Sequence, residues 1–306
     1  MGIRNNSIII AVTAFWFFGV PKLVFGQQTP LFASYNYDPF VINSAYAGMA
    51  KGSVISMNHN RYTRNIEGTP RSSSMSFHTP LAKDKMGLGA AIIDDRIGVT
   101  AATTAVLAYS YKIYFDHTPN RPHWAVYDQN VFSFGMTAGV QRLHENLLDL
   151  GVAGDPEFAN NLSETIPIIG AGILYNRVGF YMGLSIPNLL GDRLASRNDL
   201  DISTPVYGYF GYRFFTDLYQ ENMVTPSILL KYEQGAPMQI DMNLSAHISG
   251  KFEVGAGYRS SSSMNFLTGF YPLEQLRIVY YYSVGLKRPV LGNNHGLSLS
   301  YAFGYD

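Results

Sequence analysis

Apolar and small or polar side chains alternate one by one along much of this sequence, and the alternation runs to its last residue. In MQIDMNLSAHI, Met238, Ile240, Met242, Leu244, Ala246 and Ile248 alternate with Gln239, Asp241, Asn243, Ser245 and His247. KFEVGAGYR does the same with Phe252, Val254, Ala256 and Tyr258, and RVGFYMGLSI with Val178, Phe180, Met182, Leu184 and Ile186. The final HGLSLSYAFGYD places Leu297, Leu299, Tyr301, Phe303 and Tyr305 on one parity. Successive strand side chains point to opposite faces, so each segment has one apolar and one wet face.

Such runs predict strands near 52–60, 71–80, 86–94, 100–115, 130–144, 166–176, 178–186, 204–215, 223–233, 238–248, 252–259, 264–271, 276–283 and 294–306. That is fourteen, an even number, with no sustained helical period after the first 26 residues. A soluble sandwich needs charged or polar side chains on its outer faces. Here the face opposite the apolar stripe is rich in Gly, Ser and Ala, and charged residues are 14% of the chain against about 25% in soluble domains. Strands of this length suit a tilted membrane crossing. Only a closed barrel pairs every strand backbone group inside a bilayer. The expected fold is therefore all-β, a transmembrane antiparallel up-and-down barrel over residues 52–306. Closure pairs the last strand with the first, which accounts for a carboxyl end that does not fray.

Residues 1–26 carry Arg4, an apolar run from Ile8 to Phe18, Pro21, and small or β-branched residues before Gln27. This is the pattern of a cleaved secretory signal, and its apolar run is too short to span a bilayer comfortably. No cysteine is present, so disulfides and a lipid-anchored amino terminus are excluded. Basic and acidic residues balance at 22 each, and no basic stripe suggests nucleic acid. Residues 27–51 precede the first strand yet hold Phe32, Tyr35, Tyr37, Phe40 and Tyr46. Two readings follow: a partial plug of the barrel, with Gly48 permitting the turn into strand one, or an aromatic anchor at the headgroups.

With both termini periplasmic, the connections at 61–70, 145–165, 187–203 and 284–293 face outward, and an Asn176-Arg177 turn, 249–251 and 272–275 face inward. Long loops outside and short turns inside are the usual asymmetry. The exception is 116–129, read either as an unpaired strand extension or strand miscount, or as a docking surface for a periplasmic partner.

Other stretches resemble one family. QQTPLFASYNYDPFVINSAYAG is similar to the opening of PorP/SprF proteins, which typically carry Asn-Pro-Ala-Tyr-Ala-Gly. Here the motif is Asn43, Ser44, Ala45, Tyr46, Ala47 and Gly48, with serine in place of proline. SFHTPL (76–81), GLGAAIIDDRIG (87–98), FSFGMTAGV (132–140), DPEFANN (155–161), GLSIPNLL (183–190) and PSILLKYEQGAPMQIDMN (226–243) match in the same order. The resemblance implies an integral outer-membrane barrel of the type IX secretion and gliding machinery of a Gram-negative bacterium. Asn294, Gly296, Leu299 and Tyr301 resemble the carboxyl-terminal signal that barrel assembly machinery reads.

Chemistry is sparse. The histidines, 59, 78, 117, 123, 144, 247 and 295, are scattered with no close acid and serine set, and no metal motif is present. Gly87 to Ala91 lacks dinucleotide spacing and suggests close packing in the lumen. Asp241, Lys251, Glu253, Arg259 and Arg277 are expected inside or at the membrane edges, some paired across the lumen. No enzyme activity, metal or cofactor is expected. The resemblance implies a component that helps secrete, or hold at the surface, large proteins with type IX carboxyl-terminal domains. Its partners would be that cargo, periplasmic or lipoprotein machinery and outer-membrane lipids. A porin or solute channel is the alternative. Leu147, Leu148 and Phe158, apolar within the polar loop 145–165, are the candidate contact residues, unless they merely fold that loop over the barrel mouth.

Overall fold

A computed structural model describes residues 38–63, 68–115, 130–150, 160–191, 204–217, 221–260, 262–286 and 292–304. The expected leader at 1–26, residues 27–37, and the loop 116–129 lie outside them. The strands are β1 Ser53–Tyr62, β2 Arg71–Leu81, β3 Met86–Ile97, β4 Thr100–Tyr114, β5 Val131–Glu145, β6 Leu162–Arg177, β7 Phe180–Ile186, β8 Val206–Tyr212, β9 Phe214–Phe215, β10 Met223–Tyr232, β11 Gln239–Ile248, β12 Phe252–Arg259, β13 Ser263–Leu273, β14 Leu276–Gly285 and β15 Asn294–Phe303. β8 and β9 both pair with β10 and are two pieces of one strand broken at Arg213. The wall thus has fourteen strands, each antiparallel to its neighbours. It closes where β1 pairs with β15, from Ser53 opposite Phe303 to Tyr62 opposite Asn294.

Burial is inverted relative to a water-soluble protein. Leu107 is 70% exposed and Met136 63%, whereas Ser110 and Ser133 are 0% exposed. Over the middle of the wall the apolar parity of the strands faces out, and serines, asparagines and the charges Lys112, Asp241, Glu253 and Arg259 face in. A soluble monomer does not display apolar surface on this scale, and a bilayer is the solvent that makes it favourable. In β11, Met242, Leu244 and Ile248 face out while Asp241 is buried inside, as the sequence parity predicts.

Strand ends shift by a few residues from the sequence expectation, and three of the shifts bear on the wall. The tight turn is Val178-Gly179, because Asn176 and Arg177 still pair with Tyr181 and Phe180. β6 begins at Leu162, since β5 pairs with it along its full length. The last strand ends at Phe303, where Gly304 takes φ +76°, and Tyr305 and Asp306 lie outside the described residues.

β7 and β8 are short, so among the described residues no strand pairs with Leu162–Gly170 on the side away from β5. The Ile169 carbonyl there accepts from Leu189 N at 2.7 Å. Pro167, two residues earlier, turns its backbone to the same free edge and has no N–H to leave bare.

Candidate functional site

The Asn43 to Gly48 motif does not lie at the membrane surface. Residues 38–50 fold into two 3-10 turns, Pro39–Val41 and Ser44–Tyr46, held against the inner face of β2 to β6. Asn43 caps the second turn, its Oδ1 accepting from Ala45 N at 2.9 Å. Its side-chain amide also donates to the Ile173 carbonyl at 3.0 Å and the Tyr209 hydroxyl at 2.9 Å. Proline's place in the usual motif is taken by Ser44, the first residue of that turn, a position where proline is equally suited because no helical N–H is needed.

The wall supplies further bonds at each turn of the segment. Ser133 Oγ donates to the Ala45 carbonyl and Ser110 Oγ to the Ala47 carbonyl, both at 2.7 Å. Lys112 donates its ammonium to the Gly48 carbonyl, and Ser76 its hydroxyl to the Asp38 carboxylate. Gly48 N donates to His78 Nδ1 at 3.3 Å. These interior serines satisfy backbone carbonyls that would otherwise be buried without partners.

Glycines in the wall make room for this docking. A Cβ on Gly87, Gly135 or Gly172 would overlap the Ala47 carbonyl, the Ala45 backbone or Asn43 Oδ1. Phe40 packs on Gly89, the close packing that the Gly87 to Ala91 run suggests. Gly48, at φ +62° and hemmed in by Pro80 and Gly87 backbone, takes the chain from the lumen toward β1. Phe40 is 3% exposed, Ala45 and Ala47 0%. Burial pushes the Asp38 carboxyl up to about 6, against the lowering effect of hydrogen bonds from Ser76, Asn58 and the Phe40 backbone.

Beside the segment, toward the end that carries both termini, a cavity of about 420 Å³ is lined by residues including Tyr46, Arg213, His247, Glu253 and Arg277. Arg277 holds Glu253 through both carboxylate oxygens, Nη2 to Oε2 being 2.6 Å, and His247 Nε2 lies 3.3 Å from Oε1. β13 runs between the two partners, and Gly269, opposite Glu253, leaves the space they bridge. Farther from the termini, Arg259 and its cross-strand neighbour Asp241 form a second bidentate pair, 2.7 Å at its shortest and almost fully buried. The charges expected inside are thus paired within one half of the wall; Lys251 instead sits exposed in the 249–251 turn. Among the described residues no group of three His, Asp or Glu side chains is placed to hold a metal.

Of the loop candidates, two are described and share one turn. Leu147 is half-buried and Leu148 56% exposed in a 3-10 turn, Leu147–Leu150, with Leu148 N bonded to Asn161 Oδ1 at 3.2 Å. Phe158 lies outside the described residues. The connection after β7 turns inward: the Pro187 carbonyl stands over Gly170, and Asn188 is buried. The partial plug was one of the two sequence readings of this segment; what the sequence did not give was its partners on the wall, whose signal was the set of glycines and serines on the inward parity.

An antiparallel sheet closed on itself, apolar outside and polar inside, defines an integral outer-membrane β-barrel. The chain belongs to the family described as type IX secretion system membrane protein PorP/SprF, whose family model matches residues 24–301. No curated protein matches it. Among solved structures, it is similar to the P. putida toluene transporter TodX, at 9% identity and TM-score 0.52 over 88% of this chain and 95% of that one. The Acinetobacter baumannii outer membrane protein Omp33 aligns at 8% identity and TM-score 0.48 over 84% of this chain and all of that one. At such identity the TodX likeness concerns the fold alone.

Proposed function

We propose that this protein is a noncatalytic outer-membrane component of the type IX machinery that helps secrete, or anchor at the cell surface, large proteins with type IX carboxyl-terminal domains. Residues 1–26 would be its cleaved signal, and 38–50 a partial plug. Family membership supports the machinery role. The observation that favours it over a solute channel is the seating of 38–50 inside the barrel through Asn43, Ser110, Lys112 and Ser133. A lumen partly occupied by a bonded segment favours binding over free conduction. Cargo would be met by the loops at the end away from the termini, with machinery components below.

Replacing Leu147, Leu148 and Phe158 by serine in the native host tests this reading. The barrel should assemble normally while a type IX cargo protein fails to stay on the surface. Cargo retained at normal levels would remove these loops as the contact.

A further inference from the structure

The outward face of the wall changes character abruptly near the end away from the termini. At mid-wall, Met57, Met75, Ile92 and Val140 are exposed apolar residues on β1, β2, β3 and β5. Two rungs farther along, β1 pairs Arg61 with Arg71 of β2, and Arg71 pairs with Arg96 of β3. His295 of β15 stands on the other side of Arg61. All three arginines share the exposed parity of their strands. The rung between holds His59, Asp94 and Arg142, and His144 of β5 lies beside them. Among the described residues the patch thus carries four arginines and three histidines against one carboxylate, Asp94, which is held by Arg96 at 3.0 Å and by Thr103 Oγ1 at 3.0 Å.

Like charges directly opposite one another across strands are destabilising, and neighbouring strands are only about 4.8 Å apart. Among the described residues no carboxylate pairs with Arg61, Arg71 or Arg142. Arg61 and Arg71 therefore lack a counter-ion among the described residues, Arg96 shares its charge with Asp94, and the row faces lipid at the level where the apolar band ends. The connections 146–161 and 187–205 lie at this same end, while four of the connections at the other end, 82–85, 178–179, 249–251 and 274–275, are tight turns and one, 115–130, is long; the balance of long loops makes this the outward end.

From this geometry we propose that Arg61, Arg71 and Arg96 form a binding site for the phosphate groups of a phosphorylated glycolipid in the outer leaflet. Guanidinium groups grip phosphate through paired, charge-assisted hydrogen bonds, and an anion inserted along the row converts mutual repulsion into attraction. Arg142, His59, His144 and His295 would widen the basic field around it. The site is a lipid anchor that fixes the barrel's height and its β15–β3 side in the leaflet, separate from any cargo contact.

The test uses the full barrel in detergent micelles, with phosphorylated lipid A as the probe and bound lipid counted by native mass spectrometry. Wild type should retain it, and Arg61→Gln/Arg71→Gln should weaken retention by about tenfold, the effect of losing one or more charged hydrogen bonds. Arg61→Lys/Arg71→Lys should fall between, and Lys251→Gln, at the opposite end, should behave as wild type. Heat-dependent gel mobility checks that each variant is folded. Should the glutamine variant fail to fold, dephosphorylated lipid A offered to wild type gives the same answer, and it should not be retained. Equal retention of dephosphorylated lipid A, or by the folded glutamine variant, would overturn the site. Equal retention of phosphatidylglycerol would overturn the assignment to an outer-leaflet glycolipid.

Discussion

Asn43 donates its side-chain amide to the Tyr209 hydroxyl at 2.9 Å, joining the segment before β1 to the inner face of β8, 166 residues away. The same amide reaches the Ile173 carbonyl. One side chain thus ties the lumen segment to two walls of the barrel. Asn43→Ala should leave Tyr209 without this partner and cost about 1–3 kcal/mol. Urea unfolding in detergent would show this as a lower midpoint with an unchanged slope; no change would mean that the segment is held elsewhere.

Gly135 tests the same docking from the wall. Its missing Cβ leaves room for the Ala45 backbone, and Ser133 beside it holds the Ala45 carbonyl. Gly135→Leu should displace the segment while the strand, which tolerates leucine, still forms. Limited proteolysis should then cut within 38–50 in the variant and leave the segment intact in the wild type. Continued resistance would show that the lumen has spare space.

The buried Asp38 carboxyl gives the docking a pH dependence. Its folded pKa, about 6, lies above its ordinary 3.8. The docked state therefore binds the proton more tightly, and this contribution is fully present below about pH 4 and lost as pH rises through about 6. Protease sensitivity of the segment should increase from pH 5 to pH 8, and Asp38→Asn should flatten the profile. An unchanged profile in the variant would remove Asp38 as its source.

The two faces of β11 should respond oppositely to charge. Leu244 is 55% exposed on the lipid side, so Leu244→Arg should destabilise the barrel by about 2–4 kcal/mol. Ser245 lines the cavity, so Ser245→Arg should be milder. Refolding yield into detergent measures both, and equal loss at the two positions would reverse the assigned faces.

The wall was legible in the sequence because period-two alternation is a local property: β12 runs from Phe252 to Arg259 as the pattern requires. Closure of β15 on β1 was legible too, since only pairing keeps a terminal strand regular. Pairing register was not. Nothing in sequence spacing aligns Arg61, Arg71 and Arg96 into one row, because that alignment depends on loops of different length between the strands. The Val178-Gly179 turn was misplaced by two residues because Asn-Arg reads as a turn while Arg177 in fact closes a ladder with Phe180. The segment holding Asn43 to Gly48 allowed a plug or a headgroup anchor, and its contacts were not legible, since its partners, Ser110, Ser133 and Tyr209, are distant in the chain.

Single-channel recording in planar bilayers tests most directly whether this barrel binds instead of conducting. The full mature protein should give no steady ion current, and a variant lacking 38–50, shown to be folded by its heat-dependent mobility, should open a stable pore. Steady porin-like conductance from the intact protein, unchanged by removal of the segment, would contradict the account.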